Sequence, residues 1–199
     1  RIVQGDVGSG KTIVSLLSIA NVIEAKYQCA LMGPTEILAK QHYNLALKIF
    51  KGTNFKIEFL SGKTDSNKKK NVLDRLKNGN IDLIVGTHAL FQKKILFKKL
   101  GFIIIDEQHK FGVKQRSELA KKGGDNCDVL LMSATPIPRT MMMSLYGDMD
   151  ISKITEKPLT RKKILTLSKP EKKIDELWLY IEKQINIKNQ IFWVCPLID

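Results

Sequence analysis

The chain has 199 residues, of which 43% are hydrophobic and 27% charged, enough for one full domain and part of a second at roughly 100–200 residues per domain. It has no apolar run of the ~18 residues that a membrane span needs and no secretory leader before the strand-and-glycine start, and its three cysteines, Cys29, Cys127 and Cys195, are too scattered for a C-x-x-C zinc site or a disulfide framework, so it reads as cytosolic. A net charge of +13, from 33 Lys and Arg against 20 Asp and Glu, suits a polyanionic partner, although Lys68–Lys70 and Lys93–Lys94 read equally well as solvated surface.

Taken in order, Ile2-Val3 is a strand leading into a glycine turn, and Thr12 to Ala25 has helical spacing. Ala30–Met32 is a short strand and Glu36–Phe50 an amphipathic helix. Ile57–Leu60 reads as a strand, and Asn71–Lys77 as a helix stopped by Asn78-Gly79-Asn80. Ile81–Val85, Phe102–Ile105 and Val129–Met132 are compact, apolar and rich in β-branched residues, the pattern of strands buried on both faces. Strands alternating with helices predict an α/β fold, a parallel sheet with helices on both faces and right-handed crossovers.

Residues 1–150 are expected to form this first domain. Its opening strand looks shortened, because a strand feeding a glycine loop normally runs about five residues deep in a sheet. Residues 151–163, with Pro158 and Arg161-Lys162-Lys163, read as a linker. Residues 164–199, with a helix near Pro170–Lys188 and a strand at Gln190–Leu197, read as the incomplete start of a second domain, too small to bury a core alone.

Gly5-Asp6-Val7-Gly8-Ser9-Gly10-Lys11-Thr12 fits the phosphate-loop pattern G-x-x-x-x-G-K-[ST]. Its glycines let backbone N–H groups converge on phosphates, helped by the positive end of the helix that follows. Lys11 is expected to reach the β- and γ-phosphates of ATP, and the Thr12 hydroxyl to ligate Mg²⁺. The complementary carboxylate stands at the tip of Phe102–Ile105: Asp106 to hold Mg²⁺ through water, and Glu107 to accept a proton from the attacking water.

Asp106-Glu107-Gln108-His109 resembles the DExH box of superfamily 2 helicases. Pro34 to His42 resembles motif Ia of that superfamily, Gly86-Thr87-His88 motif Ib, and Ser133-Ala134-Thr135 motif III. Longer strings narrow the resemblance to the RecG family of branched-DNA helicases. They are Gly5–Thr12, Asp106–Val113, Ala134–Thr140, Leu145–Asp150 and Val194–Ile198. The transcription-repair coupling translocases share part of this pattern, but usually carry Phe at Ser9 and Glu at Gln108 and lack the Leu-Tyr-Gly-Asp string. Lys110 and Ser133 stand where RecG usually has Arg and often has Thr.

The resemblance implies a RecA-like P-loop NTPase that hydrolyses ATP to remodel replication forks and Holliday junctions in recombination and repair. It implies sequence-tolerant contact with DNA through Thr35, Thr87, His88 and Arg139, and coupling through Gln108, His109, Ser133 and Thr135. It also implies a wedge domain, arginine fingers and motifs IV to VI in parts of the family that this chain does not show. The alternatives are another superfamily 2 translocase and a nucleotide-dependent switch without motor activity. Thr35 and Thr87 have an alternative role of their own, as caps of the helices that follow them.

Overall fold

In the computed structural model, which describes residues 1–92, 94–106, 127–135, 149–156 and 164–194, the chain divides into two compact units, Arg1–Leu159 and Thr160–Asp199.

The first unit is built on β1 (Ile2–Gly5), β2 (Gln28–Met32), β3 (Ile57–Leu60), β4 (Leu83–Gly86), β5 (Leu100–Asp106), β6 (Asp128–Ser133) and β7 (Ile151–Ile154). They form a seven-stranded sheet in the order β3-β4-β2-β5-β6-β1-β7, and every pairing is parallel. Three α-helices belong to this unit among the described residues, α1 (Lys11–Glu24), α2 (Glu36–Ile49) and α3 (Ser66–Lys77), with a 3₁₀ turn at His88–Phe91 after β4.

Side chains alternate across a strand, and the two faces collect separate cores. Ala30, Met32, Ile84, Ile103, Ile105 and Leu131 face one side, where Val72 and Leu76 of α3 cover them together with Leu90 and Ile95. Cys29, Leu31, Leu83, Val85, Ile104 and Met132 face the other, beneath Leu16, Ile19 and Ile23 of α1 and Ala46 of α2. Burial on both faces explains why the middle strands are unbroken apolar runs, and each such Leu or Ile contributes about 1.5–3 kcal/mol. The fold expected from the sequence, a parallel sheet with helices on both faces, is the one observed. Burial pushes the Cys29 thiol far up and the Cys127 thiol up to about 11, so both are held as neutral thiols.

Two local expectations change. Ile151–Ile154, expected to begin a linker, is instead the edge strand β7, with Ile2 opposite Ile151 and Gly5 opposite Ile154. Arg1 anchors it through Asp150 at 2.8 Å and Ser152 at 2.9 Å. β1 would otherwise offer an unpaired row of backbone groups on that side. The helix expected from Asn71 begins earlier, at Ser66, because the Asp65 side chain accepts from the backbone N–H groups of Asn67 and Lys68 and caps it.

In the second unit, α4 (Ile174–Asn186) follows a single 3₁₀ turn at Glu171–Lys173. Lys169 and Lys173 reach Glu176 at 3.0 and 3.3 Å and hold its carboxyl below the usual carboxylate range. Trp178 stacks on Trp193 with ring centres 5.0 Å apart. The strand expected at Gln190–Leu197 is not formed over its described part, Gln190–Val194. A strand is a pairing, and this unit has no other strand among its described residues to pair with.

Candidate functional site

Every strand is parallel, so all strand ends lie on one rim of the sheet, where ligands of open α/β sheets gather. β1 ends at Gly5 and turns through the glycine loop into α1. Gly10 caps α1 at φ 95°, with nothing within 4 Å of where a Cβ would stand. Only glycine adopts that conformation readily, and it leaves the mouth of the loop clear. Lys11 folds back over the loop, donating from Nζ to the carbonyl oxygens of Gly5 at 2.7 Å and Asp6 at 3.0 Å. Ser9 N donates to Asp6 O at 3.1 Å, closing the turn. The Ser9 hydroxyl is buried and has no hydrogen-bond partner among the described residues. Thr12 is half-buried in the first turn of α1.

Asp106 ends β5 on the same rim. Its register partner is Met132 on β6, and Met132 is level with Val3 on β1. Two strand spacings of about 4.8 Å therefore separate the Asp106 backbone from the strand that feeds the loop. Between them, β6 ends at Ser133, whose hydroxyl donates to the Thr135 carbonyl at 3.1 Å and lies 3.2 Å from its Oγ1. The same Thr135 carbonyl accepts from Gln4 Nε2 at 2.9 Å, tying β1 to the end of β6.

The Asp106 carboxylate has a partner that sequence reading did not single out. His42 Nε2 lies 2.7 Å from Asp106 Oδ2, with the two side chains 10% and 13% exposed. The signal was present in the pattern: Ala39, His42 and Ala46 form the buried stripe of α2, and a histidine at a core position implies a polar partner inside.

The rest of the rim holds the loops after β2 and β4. Gly33 N donates to Gly86 O at 2.9 Å, which ties these two loops together. Thr35 is exposed and caps α2, its hydroxyl accepting from Leu38 N at 3.3 Å. Thr87 is 5% exposed and makes no side-chain cap bond, whereas His88 beside it is exposed. At this loop His88, rather than Thr87, is the exposed residue. Glu107, Gln108, His109 and Arg139 lie outside the described residues.

A glycine loop between the first strand and first helix, with an acidic strand tip on the same rim of a parallel sheet, defines the RecA-like P-loop fold. Within that class the chain belongs to the DEAD/DEAH box helicase family, whose model matches residues 1–144. It is 46% identical over all 199 residues to the ATP-dependent DNA helicase RecG of Thermotoga maritima. Against RecG of Aquifex aeolicus it is 47% identical over the whole chain. The chain spans 25% of the length of each of these relatives. A solved structure of RecG bound to a three-way DNA junction superposes with a TM-score of 0.82 at 42% identity, covering all of this chain and 26% of that one. The likeness read from the motif strings therefore extends along the entire chain. No helix among the described residues is long and apolar enough to cross a membrane.

Proposed function

We propose that this chain is the ATP-binding part of a RecG-type, DNA-dependent motor that remodels branched DNA, with residues 164–199 opening a second RecA-like domain. The observation that carries the reading is the phosphate loop itself. The Lys11 ammonium sits over it on two carbonyl oxygens, and a buried hydroxyl at Ser9 lacks a partner.

Those features fit a triphosphate. Phosphate oxygens can take the Lys11 donors and accept from Ser9, whose hydroxyl is costly to leave unpaired. Backbone N–H groups of Gly5–Thr12 and the α1 N-terminus supply the rest of the cradle. The ligands offered to Mg²⁺, a Thr12 hydroxyl and an Asp106 carboxylate, are hard oxygens. No group of three or more His, Cys, Asp or Glu stands ready for a metal among the described residues. That suits an ion that keeps waters and shares its shell with the nucleotide.

Bound MgATP supplies the phosphoanhydride to be cleaved and the cation that withdraws charge from it. Lys11 neutralises the β- and γ-oxygens, Thr12 and Asp106 hold the ion, and Glu107 accepts the proton of the attacking water. Ser133, Thr135, Gln108 and His109 connect this site to the rest of the rim. DNA meets the loops after β2 and β4 at Thr35 and His88, with Thr87 supporting the loop and Arg139 adding a phosphate contact. Contacts of that kind position the duplex without reading bases. Ser9 and Gln108 favour RecG over the coupling translocases.

The test is ATP turnover by the complete protein with and without a three-way junction. Junction-stimulated turnover that falls steeply with salt, and that Lys11→Ala abolishes, is expected. Turnover indifferent to DNA overturns the reading.

A further inference from the structure

We infer that His42 is a positioning residue for the metal-binding carboxylate: its imidazole holds Asp106 in the orientation that Mg²⁺ requires. The inference rests on the reading above in which Asp106 takes the ion.

A carboxylate only accepts hydrogen bonds, so at 2.7 Å the Nε2 of His42 carries the proton and donates to Oδ2. That contact occupies one carboxylate oxygen and fixes the torsion of the side chain. Oδ1 is left for the ion or its water. Asp106 is paired with Met132 at the end of its strand; the ladder sets the direction of its Cβ but not the torsions of its carboxylate, which a fixed donor on another element can set.

The surroundings of His42 are built to keep it there. Its neighbours on the buried stripe are Ala39 and Ala46, the smallest side chains a helix can place against a sheet. At the head of α2, a Cβ on Gly33 would stand 2.7 Å from the backbone nitrogen of Ala39, so the preceding loop closes tightly on the helix. The Thr35 cap fixes where the helix starts. With the helix start and approach set, His42 reaches Asp106 at 8% exposure. Nothing in hydrophobic packing calls for an imidazole at this position. Hydrogen-bond partners that orient metal-binding side chains typically change metal affinity or activity by about 10–100-fold when removed.

The experiment is a Mg²⁺ titration of mant-ADP binding to the complete protein, in the wild type and in His42→Leu, His42→Gln, His42→Asn and Asp106→Asn. In EDTA all five proteins should bind mant-ADP alike. With Mg²⁺, His42→Leu should need about 10–100-fold more ion for half-maximal tightening. His42→Gln places an amide N–H near the position of Nε2 and should return towards wild type. His42→Asn falls short and should resemble His42→Leu. If His42→Leu does not fold, the contrast between Gln and Asn still decides, and equal behaviour of those two overturns the inference. A wild-type Mg²⁺ requirement in His42→Leu overturns it as well, and so does an equal loss of mant-ADP binding with and without Mg²⁺, which marks a purely structural pair. Independently, ¹⁵N imidazole spectra of the wild type should show the Nε2–H tautomer of His42, and the Nδ1–H tautomer overturns the inference. The Asp106→Asn arm keeps the two readings apart: an unchanged Mg²⁺ requirement there removes the ion from Asp106 itself. A loss there, with none in His42→Leu, removes only the role of His42.

Discussion

Two buried polar side chains on opposite rims of the sheet have opposite hydrogen-bond accounts. Gln28 begins β2 at 5% exposure, and both ends of its amide are fully engaged. Nε2 donates to the carbonyls of Leu76 and Ile81 at 2.9 and 2.8 Å. Oε1 accepts from Lys98 N at 2.8 Å and Lys99 N at 3.0 Å. This one side chain joins the end of α3, the approach to β4 and the approach to β5. At the other rim, the Ser9 hydroxyl oxygen is buried with no partner among the described residues, and the Lys11 ammonium donates to the Gly5 and Asp6 carbonyls. Buried polar groups are as a rule hydrogen-bonded, so the unpaired hydroxyl beside the glycine turn calls for an explanation that the saturated Gln28 amide does not.

Variants at the two rims should separate cleanly in their effects. At the ligand rim, chemistry should be lost without stability. Glu107→Gln in the complete protein is expected to cut ATP turnover by about 10²–10⁴-fold while equilibrium nucleotide binding stays at the wild-type level. Equal loss of affinity would make Glu107 a structural carboxylate.

At the opposite rim the reverse should hold. Gln28→Leu strands the Ile81 carbonyl and the Lys98 and Lys99 N–H groups, while the Leu76 carbonyl keeps Gly79 N at 3.1 Å. At about 1–3 kcal/mol for each group buried unpaired, partial relaxation should leave a net loss of about 3 kcal/mol in urea unfolding, with mant-ADP affinity unaltered. A Gln28→Leu protein as stable as the wild type would mean that the Gln28 amide does not hold these segments together.

Lys11→Ala should weaken nucleotide binding by about 1.5–3 kcal/mol, the range for hydrogen bonds to a charged group. Its melting temperature should hold or rise slightly, because the Gly5 and Asp6 carbonyls can turn to water. A clear drop in melting would mean that Lys11 is a strut of the loop.

The smallest effect belongs to Thr35→Ala. Losing the α2 cap should cost about 1 kcal/mol, while His88→Ala should leave melting unchanged. If junction-stimulated turnover survives in both variants, the loops after β2 and β4 do not form the nucleic-acid surface.

Much of this site was legible because its chemistry is local in sequence. A phosphate loop is eight consecutive residues whose glycines and lysine act together, and an acidic tip needs only an apolar run ending in Asp106. The strands buried on both faces announced themselves as β-branched runs, and the helix starting at Glu36 by its spacing. β7 stayed hidden because four residues reading Ile-Ser-Lys-Ile carry an edge strand's weak pattern, and only the open side of β1 makes them a strand.

The amino-acid order by itself determined the fold class, the glycine loop after the first strand and the family, because turn chemistry and hydrophobic period are set by near neighbours. Tertiary structure alone decided three other things. It closed β7 onto β1, joined Gln28 to three distant segments, and brought His42 to Asp106 across 64 residues of chain. Such contacts depend on which strands become neighbours in a parallel sheet, and that order is fixed by long crossovers whose outcome no short window of sequence contains.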